Sequence, residues 1–144
     1  MTTPLVAAEV ARQAETVLPG RVVEATDGAL VVRPEAVLEV ARWLKGQLGF
    51  DYLELLTAVD YLQHFEVSYH LLSISRNQGL LMKTRLPGRD NPRMPSVTPL
   101  WQGADFQERE VYDLFGIYFE GHPFMKRLFL WEGFPGHPLR KDFL

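Results

Sequence analysis

Three carboxylates and an arginine stand within the run Glu108-Arg109-Glu110-Val111-Tyr112-Asp113, and two histidines follow in matching triplets, Gly121-His122-Pro123 and Gly136-His137-Pro138. Paired carboxylates serve general acid–base hydrolysis when their surroundings keep one protonated and the other ionised. Two imidazoles with a carboxylate can hold a zinc ion. A small metal-dependent hydrolase built on His122, His137 and Glu110 is therefore one chemistry that these residue types allow. Their spacing speaks against it. The histidines stand in loops fifteen residues apart, not at the i, i+4 helical spacing of HExxH enzymes, and no sugar-binding signature lies nearby.

The other use of such a run is recognition. On a helix, Arg109 reaches Asp113 at i+4 and Asp105 at i−4. Left in water, each such pair is worth under about 1 kcal/mol. Val111, Leu114 and Phe115 form an apolar face, however, and Phe106 and Tyr112 flank the charges. That arrangement puts the charges at a boundary that a second surface can cover, where removing one partner of a buried pair costs about 3–5 kcal/mol. Each Gly-His-Pro triplet has its own logic: glycine permits an unusual backbone angle, and proline pushes the preceding histidine toward an extended conformation. Each should turn the chain and aim an imidazole. Basic pairs follow, Lys126-Arg127 and Arg140-Lys141, so residues 121–144 carry four basic side chains against Glu132 and Asp142. Residues 104–120 carry five acids against Arg109. Acidic helix and basic arm can pair with each other or with a partner.

The elements that must hold these groups can be read upstream. Pro4, after Thr2 or Thr3 as cap, suits the first position of a helix in which Ala7, Val10, Ala11, Ala14 and Val17 recur at helical spacing; Pro19-Gly20 ends it. Residues 21–25 and 29–33 flank Asp27-Gly28, a hairpin signal. Pro34 opens a second helix, with Val37, Val40, Ala41, Leu44 and Leu48 on one face and a stop at Gly49. Residues 52–62 are apolar on both faces, which suggests a central strand. Phe65, Val67, Tyr69 and Leu71 alternate before the phase slips to Leu72 and Ile74, the mark of a bulge or a two-sided strand. Leu80, Met82, Thr84 and Leu86 face one way, Lys83 and Arg85 the other. Helix, two strands, helix and three strands describe a two-layer α+β domain. A further helix over 104–115, closed by Gly116, and an extended C-terminal arm follow. The chain reads as one domain, with residues 1–103 as the α+β core and 104–144 as motif helix and docking arm.

Composition narrows the function. The 144 residues with a net charge of −3 offer no basic field for nucleic acid. Zero cysteines exclude disulfides, thiolate zinc sites and cysteine-ligated clusters. No apolar run approaches the roughly 18 residues of a membrane-spanning helix, and the N-terminus lacks the pattern of a signal peptide. From Pro87 onward lie seven of the ten prolines, and from Trp101 onward eleven of the seventeen aromatics. Rings and arginines on irregular chain are favoured at protein interfaces, although such an arm can also wrap its own sheet. A free-standing binding module is a further reading.

Glu108 to Ile117, Gly121-His122-Pro123, Lys126-Arg127 and Gly136 to Phe143 follow one another in an order that resembles the 30-kDa subunit family of respiratory complex I, the proton-pumping NADH:quinone oxidoreductase. The resemblance extends upstream through Val59-Asp60-Tyr61, Tyr69-His70-Leu71-Leu72, Pro95-Ser96-Val97 and Trp101, covering most of the chain. Departures are Phe106, where the family often has Trp, and Phe124-Met125-Lys126, where it often has Asp-Leu-Arg. The resemblance implies a peripheral-arm subunit without a cofactor of its own, FMN and iron–sulfur clusters being held by partner subunits, which agrees with the missing cysteines. It implies packing against the large quinone-site (49-kDa-type) subunit and neighbouring iron–sulfur subunits, at the cytoplasmic face of a bacterial cell membrane. The residues expected to dock are Glu108, Arg109, Glu110, Asp113, Phe115, Gly116, His122, Pro123, Arg127, His137, Pro138, Leu139, Arg140, Lys141 and Asp142. Membrane-bound hydrogenases and ferredoxin- or F420-linked complexes use similar subunits and remain open.

Overall fold

Val37, Val40, Ala41 and Leu44 recur at helical spacing and are all buried, because one stripe of their helix is pressed onto a β-sheet. The computed structural model describes residues 3–4, 6–26, 28–88, 90–126 and 136–140. In chain order its elements are β1 (Thr3–Pro4), α1 (Ala7–Val17), β2 (Val22–Thr26), β3 (Ala29–Val32), α2 (Val37–Leu48), β4 (Tyr52–Asp60), β5 (His64–Ser73), β6 (Gln78–Pro87), β7 (Arg93–Pro95), α3 (Ala104–Phe115) and β8 (Tyr118–Glu120). A single 3-10 turn, Pro34–Ala36, leads into α2. The α+β class read from the sequence is the one observed.

The main sheet runs β2-β3-β6-β5-β4, with β1 pairing parallel to β6 at its end. β3 also lies parallel to β6, so the sheet is mixed. Leu30, Leu56, Val67, Tyr69 and Met82 point to one face, where they meet Val10 of α1, Leu44 of α2 and Val111 of α3 in a single core. On the other face Glu66, only 7% exposed, lies between Lys83 at 3.3 Å and Arg85 at 3.5 Å, and Arg85 reaches Glu24 at 3.0 Å. A second, two-stranded parallel sheet joins β7 to β8 and ties the segment before α3 to the one after it.

Two expectations change, and a third is decided between its two alternatives. Pro4 does not start a helix: Thr3 and Pro4 pair with Gln78 and Gly79, and α1 begins at Ala7. The strand expected at the sheet's centre over residues 52–62 is β4, which stops at Asp60 and forms an edge. Its outer apolar residues Tyr52, Leu55 and Val59 are left exposed. The suspected irregularity in β5 lies instead in its neighbour, between Leu53 and Leu55 of β4, while β5 pairs with β6 in unbroken register. β5 is the two-sided strand, with Phe65, Glu66, Val67, Ser68 and Tyr69 all buried in succession. The short strands β1, β7 and β8 carry no local signal of their own.

Candidate functional site

α3 places Ala104, Glu108, Val111 and Phe115 at i, i+4, i+7 and i+11, and all four are buried. Glu108 is therefore on the inner face, fully buried, and cannot meet a partner from there. Its Oε1 accepts from Ser96 Oγ at 2.6 Å and its Oε2 from the Val97 amide at 2.8 Å, fixing the loop after β7 to the helix. Burial drives its pKa up from 4.5 to about 7, against the lowering effect of those two bonds, with the nearby Asp105 charge adding to the rise. Asp113 is fully buried as well. Glu110 points into solvent.

Arg109 turns toward the arm. Its Nε donates to the Lys126 carbonyl at 3.1 Å, and its guanidinium lies 5.3 Å from the Phe124 ring centre and 6.0 Å from that of Phe106. The Lys126 ammonium sits 5.0 Å from the same Phe124 ring. Phe106 is 62% exposed and Phe124 52%. An arginine framed by two exposed rings makes an aromatic, cationic patch on the outside of the domain.

Both Gly-His-Pro triplets turn as expected, with φ of +88° at Gly121 and +80° at Gly136. They aim their imidazoles at opposite ends of the same helix. His122 Nε2 donates to the Asp105 carbonyl at 3.0 Å, while its Nδ1 accepts from the Phe124 amide at 2.9 Å. His137 uses the other tautomer: its Nδ1 is 3.0 Å from the Asp113 carbonyl, an oxygen that can only accept. The two carbonyls are eight residues apart, about 12 Å along a helix, so the imidazoles cannot share one ion with Glu110. Among the described residues no three histidines or acids converge on a metal position.

The second triplet completes the end of α3. The last four carbonyls of a helix lack partners within it. Here Tyr112 O accepts from Gly116 N at 2.8 Å, Asp113 O from His137, Leu114 O from Leu139 N at 2.8 Å, and Phe115 O from Arg140 Nε at 2.5 Å. Arg140 also brings a positive charge to the negative end of the helix and lies 5.1 Å from the Phe65 ring centre. Phe65 in turn packs edge-on against Phe115 at 6.3 Å. Residues 137–140 thus work as a clasp that belongs to the domain.

Of the remaining residues expected to dock, Leu139 and Pro123 are exposed and Pro138 is half-buried. The His122 side chain is fully covered. Arg127, Lys141 and Asp142 lie outside the described residues. The sequence reading names Lys126 only as one of a basic pair and does not single out Phe124 as a patch residue or Ser96 and Val97 as partners of Glu108. An aromatic directly after a triplet that returns to the helix was the available signal for Phe124.

These features define a class: a mixed-sheet α+β scaffold in which one helix is gripped at both ends by a returning C-terminal arm, leaving a cationic aromatic face outward. The chain belongs to the family of the 30-kDa subunit of the respiratory-chain NADH dehydrogenase, which residues 30–144 match. It is 46% identical over 121 residues to the corresponding NADH-quinone oxidoreductase subunit of Roseiflexus sp. (strain RS-1), covering 81% of this chain and 69% of that one. Identity is likewise 46% over 117 residues to the NADH-quinone oxidoreductase subunit of Moorella thermoacetica, covering 80% and 78%. The mitochondrial NADH-ubiquinone oxidoreductase 30.4 kDa subunit of Neurospora crassa is 44% identical over 119 residues, 79% of this chain and 41% of that longer one. A chain in the structure of the membrane-bound sulfane sulfur reductase, an archaeal respiratory membrane complex, superposes with a TM-score of 0.77 at 29% identity, covering 94% and 84%. Among the described residues no helix is long and apolar enough to cross a membrane.

Proposed function

We propose that this chain is a docking subunit of an NADH–quinone oxidoreductase. It carries no redox group itself and holds the large quinone-site subunit and its iron–sulfur neighbours in register while electrons pass from NADH to quinone. FMN and the clusters belong to the partners, a reading supported by a sequence with no cysteine to ligate a cluster. The protein attaches peripherally, through the complex, at the cytoplasmic face of a bacterial membrane.

The observation that carries the docking role is Arg109 framed by the exposed Phe106 and Phe124 on a helix fixed at both ends. A rigid arginine among aromatic rings is the composition of an interface anchor, and a partner that covers it does not have to order the helix first. The test is a double variant, Phe106→Asp with Phe124→Asp. Both side chains are largely in solvent, so the melting temperature should stay within about 2 °C of the parent, while co-purification with the large subunit falls at least about tenfold. Unchanged co-purification would overturn the docking surface; stoichiometric flavin in the purified chain would overturn the non-redox role.

A second reading is the equivalent subunit of another membrane-bound respiratory complex, favoured by the fold shared with the sulfane sulfur reductase chain. Purifying the native assembly from its membrane and identifying the other subunits separates the two.

A further inference from the structure

We propose that Glu108 is an interior proton-binding site, filled from solvent through the hydroxyls of Ser96 and Thr98. The carboxyl is fully buried. Its two oxygens are met by one hydroxyl and one amide, and no cation of the described residues is paired with it. The groups packed around it favour the neutral acid. From β5 comes the buried phenol of Tyr69, whose OH donates to Met94 Sδ of β7 at 3.8 Å. Both burial and the Glu108 charge push that phenol's pKa upward. From α3 itself comes Asp105, a second acid. An ionised carboxylate held this way, with no counter-charge, is expensive.

What makes the site usable is the direction of its hydrogen bonds. Ser96 Oγ and Thr98 Oγ1 lie 2.8 Å apart, and either can donate to the other. With the carboxylate present, Thr98 donates to Ser96 and Ser96 to Glu108 Oε1. When a proton enters at Thr98, each hydroxyl passes its own proton inward and keeps the one it receives. Glu108 then donates to Ser96 and Ser96 to Thr98. Ser96 Oγ still accepts from the Thr98 amide at 3.1 Å, and Glu108 Oε2 still accepts from Val97. One proton is added and no hydrogen bond is lost, because a hydroxyl has one donor and two acceptor positions. Thr98 is half-buried where Ser96 is buried, so the two hydroxyls lead outward from the carboxyl. The upward displacement of the Glu108 pKa to about 7 places this exchange near neutral pH. Any movement that draws α3 away from the 96–98 loop would wet the carboxyl and release its proton.

The experiment is a carboxyl-carbon NMR titration of the full chain labelled in glutamate, with Glu108→Gln to assign the resonance. Expected is one glutamate, missing from the variant, titrating roughly one pH unit or more above the exposed glutamates. Ser96→Ala, which removes a bond favouring the carboxylate, should raise that midpoint further. A Glu108 resonance that titrates with the exposed glutamates overturns the site, and a carboxyl proton-exchange rate in Ser96→Ala equal to the parent's, read from the width of the same resonance at its midpoint, overturns the path. If Glu108→Gln fails to fold, infrared difference spectra of the parent chain between acidic and alkaline pH decide. The expected result is a protonated-carboxyl band with the frequency of a buried acid, still present at neutral pH; its absence there overturns the proposal. None of these readouts depends on docking.

Discussion

A Cβ built on Gly116 would stand 2.7 Å from His137 Cδ2 and 2.8 Å from an Arg140 guanidinium nitrogen. Helix end and clasp meet at the one residue that has no side chain. Gly116 also has φ of +83°, the left-handed region that ends a helix and that other L residues enter at a cost.

Both effects act together in Gly116→Ala. The backbone term alone costs about 1–2 kcal/mol, and the imidazole and guanidinium must shift as well, breaking their bonds to Asp113 and Phe115. A loss of about 2–4 kcal/mol in urea unfolding is expected, with faster amide exchange at Leu139, whose N–H bonds the Leu114 carbonyl. A loss below about 1 kcal/mol would show that the clasp yields easily.

Arg140→Ala removes a charge-assisted bond to the Phe115 carbonyl and a cation beside Phe65. About 1.5–3 kcal/mol of stability should go with it, and Arg140→Lys should restore only part, because an ammonium does not reproduce the fixed geometry of the guanidinium. Thermal or urea unfolding of the two variants measures this. Arg140 is therefore a poor probe of docking by itself: any loss of assembly in Arg140→Ala includes a loss of fold. Phe106 and Phe124 separate the two.

Sequence alone carried the helices and failed where pairing is distant. α2 and the stripe of β6 are periodic, and periodicity is local. β4 was misplaced because Tyr52, Leu55 and Val59 make its outer face apolar although nothing in the described chain covers them. Edge or centre is decided by β3 joining β6, a pairing between residues about fifty positions apart. The inward turn of Glu108 was legible: counting from Ala104 to Val111 and Phe115 puts position 108 on the apolar face. The clasp was not legible, since its three donors, from His137, Leu139 and Arg140, reach the helix end only once the arm has returned.

The edge strand yields a smaller prediction. Gln107 Oε1 accepts from the outward-facing Leu56 amide at 2.5 Å, so α3 seals part of β4's open edge. Gln107→Leu keeps the volume and removes the acceptor. It should cost about 1–2 kcal/mol and quicken hydrogen exchange at Leu56 more than at neighbouring β4 amides.

Glu108 makes stability depend on pH with a definite sign. Its folded pKa, about 7, lies above the ordinary 4.5, so between those values the folded chain binds the proton that the unfolded chain has released. Its contribution is full below pH 4.5, declines as pH rises, and is gone above about 7. By linkage the swing reaches about 3 kcal/mol at most. Glu108→Gln carries no titrating proton there and should flatten the profile between about pH 5 and 8, so that the variant gains on the parent as pH rises. Urea unfolding of both chains across that range measures it. A parent whose stability climbs with pH over the same window, with the variant running parallel, would mean that Glu108 is held as a carboxylate.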